Sequence, residues 1–272
     1  MKRFFNILFL IIFVLIFSSS VYAKDVKFIQ VTDLHFDATQ GSIENFNNLI
    51  EQINKTRDLD FVVFTGDNID SAKKRMLNDF LKIAKKIDVP YYIEIGNHDC
   101  FKAGGLSKAE YRKMVNKSLK RNHKDFNFVK KQDKLVFLFI DGVKEIIPAQ
   151  NGYYNSETLQ WLEKQLDKYK NKKVIIFQHF PLMEERPNSN HNLFRPEQYF
   201  EIISKHDNIL AIFAGHYHSP NELNKDGVLY YISGPAHGKE ASYREVYIED
   251  LGNNKYEFYT QMVNFKEWFF II

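Results

Sequence analysis

Residues 93–100 read IEIGNHDC, and the fold turns on what that junction means. Ile93, Glu94 and Ile95 close an extended, mostly apolar run that begins at Tyr91. Gly96, Asn97, His98 and Asp99 then stop it with three polar side chains in succession. Asp and Asn favour turns, so a single junction of this kind is only a turn. A chain that repeats it is building something.

Working outward, the same junction recurs. Val26–Thr32 is followed by Asp33-Leu34-His35, and Phe61–Thr65 by Gly66 and then Asp67-Asn68-Ile69-Asp70. Val174–Gln178 is followed by His179, and Ile209–Ala214 by Gly215 and then His216-Tyr217-His218. These runs are rich in Val, Ile and Phe without clean polar alternation, as expected of strands buried on both faces. A further run, Leu135–Ile140, ends on Asp141, but no His or Asn accompanies it, and Asp141 is read as structural. Amphipathic segments lie between the runs: Ile43–Thr56, Ala72–Ile87, Ser107–Arg121, Ser156–Tyr169 and Pro196–His206. The first carries Ile43, Phe46, Leu49, Ile50 and Ile53 at helical spacing. This is the alternation of an α/β domain. Beyond residue 219 the texture changes. Asn224-Lys225-Asp226-Gly227 signals a hairpin, and Val228–Ile232, Arg244–Ile248 and Tyr256–Met262 read as strands of a mostly antiparallel C-terminal part. In an open α/β sheet the strand C-terminal ends share one edge, where ligands bind, so the polar junctions are expected to converge.

What converges is a metal-ligand inventory: Asp33, His35, Asp67, Asn97, His179, His216 and His218. Nitrogen and oxygen ligands without thiolate suit Zn, Fe or Mn. If one carboxylate bridges, the set serves two divalent or trivalent transition metal ions. A pair of ions about 3.5–4 Å apart is the usual device for hydrolysing phosphate esters. At this point the chain resembles a known family. Asp33-x-His35, Gly66-Asp67, Gly96-Asn97-His98-Asp99, His179 and Gly215-His216-x-His218 match, in order, the motifs of the calcineurin-like metallophosphoesterases. The resemblance implies a four-layer α/β/β/α sandwich, two mixed sheets flanked by helices, around a binuclear metal centre. It places Asp33, His35 and His218 on one ion and Asn97, His179 and His216 on the other, with Asp67 bridging. The expected reaction is in-line attack on phosphorus by a hydroxide held between the ions. His98, not a ligand, is expected to protonate the leaving oxygen, and Asp99 to orient His98 or cap its loop. The related purple acid phosphatases carry a tyrosinate three positions after the bridging Asp. Here that position is Asp70, which argues against a tyrosinate-coloured site.

The rest of the chain bounds the setting. Lys2 and Arg3, the apolar stretch Phe4–Phe17, three serines and Val21-Tyr22-Ala23 form the layout of a secretory signal peptide. Cleavage after Ala23 is expected, leaving residues 24–272 as one metallophosphoesterase domain exported to the periplasm or secreted, with no membrane attachment. Without the leader's two basic residues, 35 basic residues face 34 acidic ones, a net of +1 that gives no reason to expect stable nucleic-acid binding. The basic stretch Arg112–Lys134 is read as a solvated face. Cys100 is the only cysteine and lacks an Arg six positions on, so it is read as a packed residue. Asp37 and Asp70 are left open between turn residues and carboxylates holding ligand imidazoles. His123, His206 and His237 are given surface or core roles, while His191 in the loop Phe180–Arg195 has a path to substrate. Phe101–Leu106, Gly142–Tyr154 and Phe180–Arg195 are the expected specificity loops, with Arg186 and Arg195 as candidate phosphate contacts. The function expected is hydrolysis of phosphate monoesters or diesters on small substrates such as nucleotides. A nuclease and a non-catalytic scaffold of the same fold are the rivals, and no oligomeric state is dictated.

Overall fold

The pairing of apolar runs and amphipathic segments becomes two facing sheets with helices outside them. The computed structural model describes residues 25–146 and 150–265; the leader-like stretch 1–23 lies outside the described residues. In chain order the elements are β1 (Val26–Val31), α1 (Gln40–Lys55), β2 (Phe61–Thr65), α2 (Lys74–Ala84), β3 (Tyr91–Glu94), α3 (Lys108–Leu119), β4 (Phe128–Gln132) and β5 (Leu135–Ile140). They continue as α4 (Ser156–Lys168), β6 (Lys173–Gln178), α5 (Glu197–Ser204), β7 (Ile209–Ala214), β8 (Asn221–Lys225), β9 (Val228–Ile232), β10 (Ser242–Gly252) and β11 (Lys255–Asn264). One sheet runs β11-β10-β1-β2-β3 and the other β4-β5-β6-β7-β9-β8. Among the described residues no helix is long and apolar enough to cross a membrane.

Each central strand is apolar on both faces because each face meets a different layer. Phe28, Phe61, Phe137, Phe177 and Phe213 point between the sheets, with Phe28 stacked on Phe61 at 5.1 Å and edge-on to Phe177 at 5.3 Å. The alternate residues Ile29, Val31, Val62 and Phe64 face the helices. There Phe46 of α1 stacks on Phe80 of α2 at 5.1 Å, and Phe64 meets Phe80 at 5.4 Å. The helices start where short polar side chains cap free backbone N–H groups. Thr39 accepts from Ser42, Asn155 accepts from Thr158, and Ser107 with Glu110 forms a reciprocal capping box.

Three sequence expectations change. The strand ends do not share one edge. β1-β2-β3 are parallel in one sheet and β5-β6-β7 in the other, so the site lies between two facing edges. The stretch Arg112–Lys134 is not simply a solvated face, because it contains β4, antiparallel to β5. Phe128 stacks on Phe139 at 4.1 Å, while Lys130 lays its ammonium 4.1 Å from the Phe61 ring centre. Burial there lowers the Lys130 amine to about 8. The two adjacent lysines hid the strand pattern. β8 was also missed, because all five of its residues are exposed and polarity alone reads as loop. The turn Asp226-Gly227 joins it to β9 as expected.

Candidate metal centre

Five strand ends deliver the seven ligand candidates to one place. Asp33 and His35 follow β1, Asp67 follows β2, Asn97 follows β3, His179 follows β6, and His216 and His218 follow β7. The chain turns abruptly there: Asp33, His35, Asp67, His216 and His218 all have φ between 45° and 73°. Non-glycine residues seldom adopt that backbone, and its clustering marks geometry imposed against local preference. The motif glycines make room. A Cβ on Gly96 would fall 2.1 Å from Asp67 Oδ1, and one on Gly66, itself at φ +95°, 2.6 Å from His179 Nδ1. Only a residue without a side chain lets backbone and ligand approach so closely.

Each ligand candidate is held by one atom and offers another. Asp33 Oδ2 accepts from Thr32 Oγ1 at 2.7 Å and from the His216 N–H at 2.9 Å. Its Oδ1 is buried without a hydrogen bond, 3.3 Å from His218 Nε2. His179 Nδ1 lies 2.9 Å from the Thr65 carbonyl, which can only accept, so Nδ1 carries the proton. That turns Nε2 toward Asp67 Oδ2 at 3.3 Å and Asn97 Oδ1 at 3.2 Å. His216 Nε2 is buried with no partner at all. The Nε2 atoms of His35 and His218 stand 3.2 Å apart, where two lone pairs repel unless a proton or cation sits near them. The ligand atoms of Asp33, His35 and His218 lie within 4.8 Å of one another, as do those of Asp67, His179 and His216. Orphaned buried atoms and opposed lone pairs are what a cation would resolve, so these residues fit the metals that the motifs imply.

The charges agree. Burial by itself would raise the Asp33 carboxyl, but His218 and His179 outweigh it and bring it down to about 2. Burial likewise opposes ionisation of Asp67, yet His179 and His35 hold it far below the usual carboxylate range. His179 goes the other way. Despite burial, Asp67 raises its imidazole to about 9, so without metal the site keeps a proton as its cation. Burial lowers His35 to about 4 and, with His179 beside it, His216 to about 3, leaving both neutral as metal binding requires.

The neighbouring residues sort by contact. His98 is exposed, with its Nδ1–H on the Asp70 carbonyl at 2.7 Å, which leaves Nε2 free. Its ring lies 4.6 Å from that of His35, and His35, Asp67 and His98 form a third group of ligand atoms within 4.8 Å. Asp99 is fully buried and takes four donors: the N–H groups of Asn68, Ile69 and Gly96 and the Asn68 amide. It fastens the loop and does not line the pocket, so of its two expected roles the structure favours the cap. Asp70 reaches His35 Nδ1 at 3.9 Å and orients His98 through its carbonyl, whereas Asp37 bonds Thr39 as a turn residue. Asp141 pairs with Lys108, away from the site. Cys100 is buried, and burial pushes its thiol well up. Arg186 and Arg195 are exposed and do not line the pocket around the ligands. His191 does, with its ring 5.5 Å from that of His216 and Nδ1 3.4 Å from Glu185. His237 is the residue that sequence reasoning missed. Its Nδ1–H meets the Asp33 carbonyl at 2.7 Å, and its ring packs 4.8 Å from His35 and 5.2 Å from His218. The signal was its place in the loop after β9, a few residues beyond the strand end where the other junctions begin.

Beneath the ligands one side chain ties the sheets together. Fully buried Gln30 of β1 donates to Thr65 Oγ1 at 2.9 Å and to the Ala214 carbonyl at 3.0 Å, and accepts from Ser233 Oγ at 2.6 Å. Ser233 in turn accepts from buried Arg244 at 2.9 Å. Gln30→Leu removes three bonds and leaves buried polar atoms unpaired. It is expected to destabilise the metal-free protein by about 2–3 kcal/mol in urea, with the slope unchanged. A loss under about 0.5 kcal/mol would mean that water replaces the amide.

Comparison with known proteins accounts for the constellation. Residues 26–220 match the sequence profile of the calcineurin-like phosphoesterases. The chain belongs to that family. It is a phosphoric ester hydrolase of a metal-dependent class, and its Asp and His clusters are able to bind metal. It is 28% identical over 208 residues to a probable glycerophosphodiester phosphodiesterase of Arcobacter nitrofigilis, covering 70% of this chain and 71% of that one. A probable cyclic nucleotide phosphodiesterase of Colwellia psychrerythraea is 25% identical over 209 residues, 74% of each chain. The crystal structure of a dimetal phosphatase from Danio rerio superposes with a TM-score of 0.65 at 14% identity, covering 89% of this chain and 99% of that one. That likeness shows the four-layer fold.

Proposed function

We propose that this protein hydrolyses small phosphodiesters at a two-metal centre. Asp33, His35 and His218 would hold one ion and Asn97, His179 and His216 the other, with Asp67 shared. Bound transition metals, Mn, Fe or Zn by the donor set, would supply Lewis acidity toward the phosphoryl oxygens and lower the pKa of water. The chain's own part is to orient and to move a proton. Asn97 stands where its amide can meet a phosphoryl oxygen, and His98 offers its free Nε2 to the leaving oxygen. The observation that selects a diester is the lining of the pocket, a cavity of about 140 Å³. Beside the ligands it presents His98, Gln150, Glu185, His191 and Tyr217, with neither Lys nor Arg among the described residues. A monoester dianion brings one more negative charge than a diester and, beyond the metal ions themselves, would meet Glu185 with no Lys or Arg to balance it. The relatives named as phosphodiesterases point the same way. The complete ligand set disfavours a non-catalytic scaffold, and the near-neutral charge disfavours long nucleic acid.

Elemental analysis and calorimetry test the centre together. About two transition metals per chain are expected, and a reproducible value of one at saturation would sink the bimetallic reading. Because His179 is raised to about 9, it is protonated at pH 7 and must lose that proton as metal enters. Asp33 also raises the His218 imidazole, so metal uptake is expected to release at least one proton per chain and to weaken as pH falls. Titration heats that do not vary between buffers of different ionisation enthalpy would contradict this. With Mn²⁺, bis-p-nitrophenyl phosphate is expected to turn over faster than p-nitrophenyl phosphate, and the reverse order would make the enzyme a monoesterase.

The layout of residues 1–23 supports an exported enzyme. A secreted chain whose intact mass begins at Lys24 is the expected result, and retention of the leader would indicate an anchor instead.

A further inference from the structure

The metal pocket adjoins a second, larger cavity. The two share Asn97, His98 and Gln150, and the second, about 420 Å³, is otherwise lined by Asp70, Ser71, Ala72, Lys73, Phe101 and Gly104. We propose that this cavity is the leaving-group subsite and that it takes a nucleoside, with Phe101 and Lys73 setting the preference. The proposal rests on the phosphodiesterase reading and deepens it.

The first argument is position. His98 stands on the boundary of the two cavities, its ring fixed by the Asp70 carbonyl at 2.7 Å. In hydrolysis, water adds its oxygen to phosphorus, the P–O bond to the alcohol breaks, and a proton ends on the alcohol oxygen. The alcohol that receives its proton from His98 therefore departs on the side of the larger cavity. The second argument is size. The metal pocket, at about 140 Å³, has room for a phosphoryl group and little more, whereas about 420 Å³ accommodates a nucleoside.

The third argument is chemistry. Asp70 and Lys73 give one carboxylate and one ammonium, so the lining favours no net charge on the occupant. A second phosphate would gain Lys73 but meet Asp70, and an acyl chain would bury polar groups without partners. Ser71, bonded to Asp70 at 2.9 Å, and Gln150 offer donors and acceptors for hydroxyl groups. Lys73 Nζ has only a long contact, 3.5 Å to the Gly104 carbonyl, and keeps protons to donate. Half-buried Phe101 adds aromatic surface for a planar ring, and aromatic–base contact tolerates any base. An uncharged molecule with hydroxyl groups and a flat ring answers all of these. Gln150 is held across the mouth by the Asn190 amide, which joins the loops on either side.

The test compares two diesters with the same retained arm. The methyl ester of thymidine 5′-phosphate is expected to lose thymidine, dimethyl phosphate can lose only methanol, an alcohol of similar acidity, and both then retain a methyl arm. The Mn²⁺-loaded enzyme is expected to favour the nucleoside ester roughly tenfold, through KM rather than kcat. Phe101→Ala should remove most of that preference, Phe101→Tyr should keep it, and Lys73→Ala should reduce it a few-fold. Equal KM values for the two diesters would overturn the subsite, as would a Phe101→Ala variant that lowers both rates alike. Failure to cleave either diester would instead overturn the phosphodiesterase reading. Thymidine binding to the metal-free protein, followed by NMR, then decides the subsite alone. Binding that Phe101→Ala weakens roughly tenfold upholds it, and no binding ends it.

Discussion

Asp67→Asn is expected to lose metal and activity together. The Asp67 carboxylate groups with His179 and His216 on one side and with His35 and His98 on the other, and each imidazole facing it uses its charge. Its Oδ2 stands 3.3 Å from His179 Nε2 and 3.7 Å from His35 Nε2, while Oδ1 accepts the His98 N–H at 2.9 Å. Asparagine keeps the shape and one acceptor but removes the charge that two cations would share. Losing several kcal/mol of electrostatic stabilisation corresponds to roughly a 10³-fold or larger fall in kcat. The fall should track metal content as metal is added. A second readout needs no metal. Asp67 is what raises His179 against its burial, so in the metal-free variant the His179 imidazole should titrate well below its wild-type value of about 9. The sign follows from charge: a vanished anion no longer favours imidazolium. A variant with full metal content and wild-type His179 titration would remove Asp67 from the centre of the site.

Much of this was legible because strand ends and ligand types coincide in the sequence. The runs Phe61–Thr65, Leu135–Ile140 and Ile209–Ala214 appear with the same limits in the structure, since strands covered on both faces have no polar residue to blur them. The motif residues could be assigned to one site for a related reason. Asp33, Asp67 and His216 each sit within two residues of a strand's last hydrogen-bonded position, where backbone geometry leaves little freedom. What was not legible depends on distance through space. Gln30 looks like a stray polar residue in β1, and only the second sheet reveals that it spans the gap to Ala214 and Ser233. His237 reaches the site through a loop after β9. Lys130 and Lys131 concealed β4 because one of them finds aromatic rings rather than water. Asp99 invited a role in orienting its neighbour His98, yet a carboxylate that accepts from three backbone N–H groups and an amide is committed to the loop.

His98→Ala separates the two ways of losing activity, and leaving-group acidity makes the separation visible. The imidazole belongs to a ligand-like group with His35 and Asp67, so proximity alone would permit it to bind metal. Its position argues otherwise. Nδ1 is spent on the Asp70 carbonyl, and the ring lines both the metal pocket and the larger cavity beside it, which none of His35, His179, His216 and His218 does. An exposed imidazole at the boundary between the metal pocket and the larger cavity is placed to give a proton to a departing oxygen. The variant should therefore keep its metal and its fold. For an alkyl diester, whose alkoxide leaves only when protonated, kcat should fall by about 10²–10⁴. For bis-p-nitrophenyl phosphate, whose phenolate leaves unaided, the loss should be about tenfold or less. If His98→Ala lost metal as Asp67→Asn does, His98 would be a ligand. Equal losses on both leaving groups would place its contribution in orienting substrate instead of moving a proton.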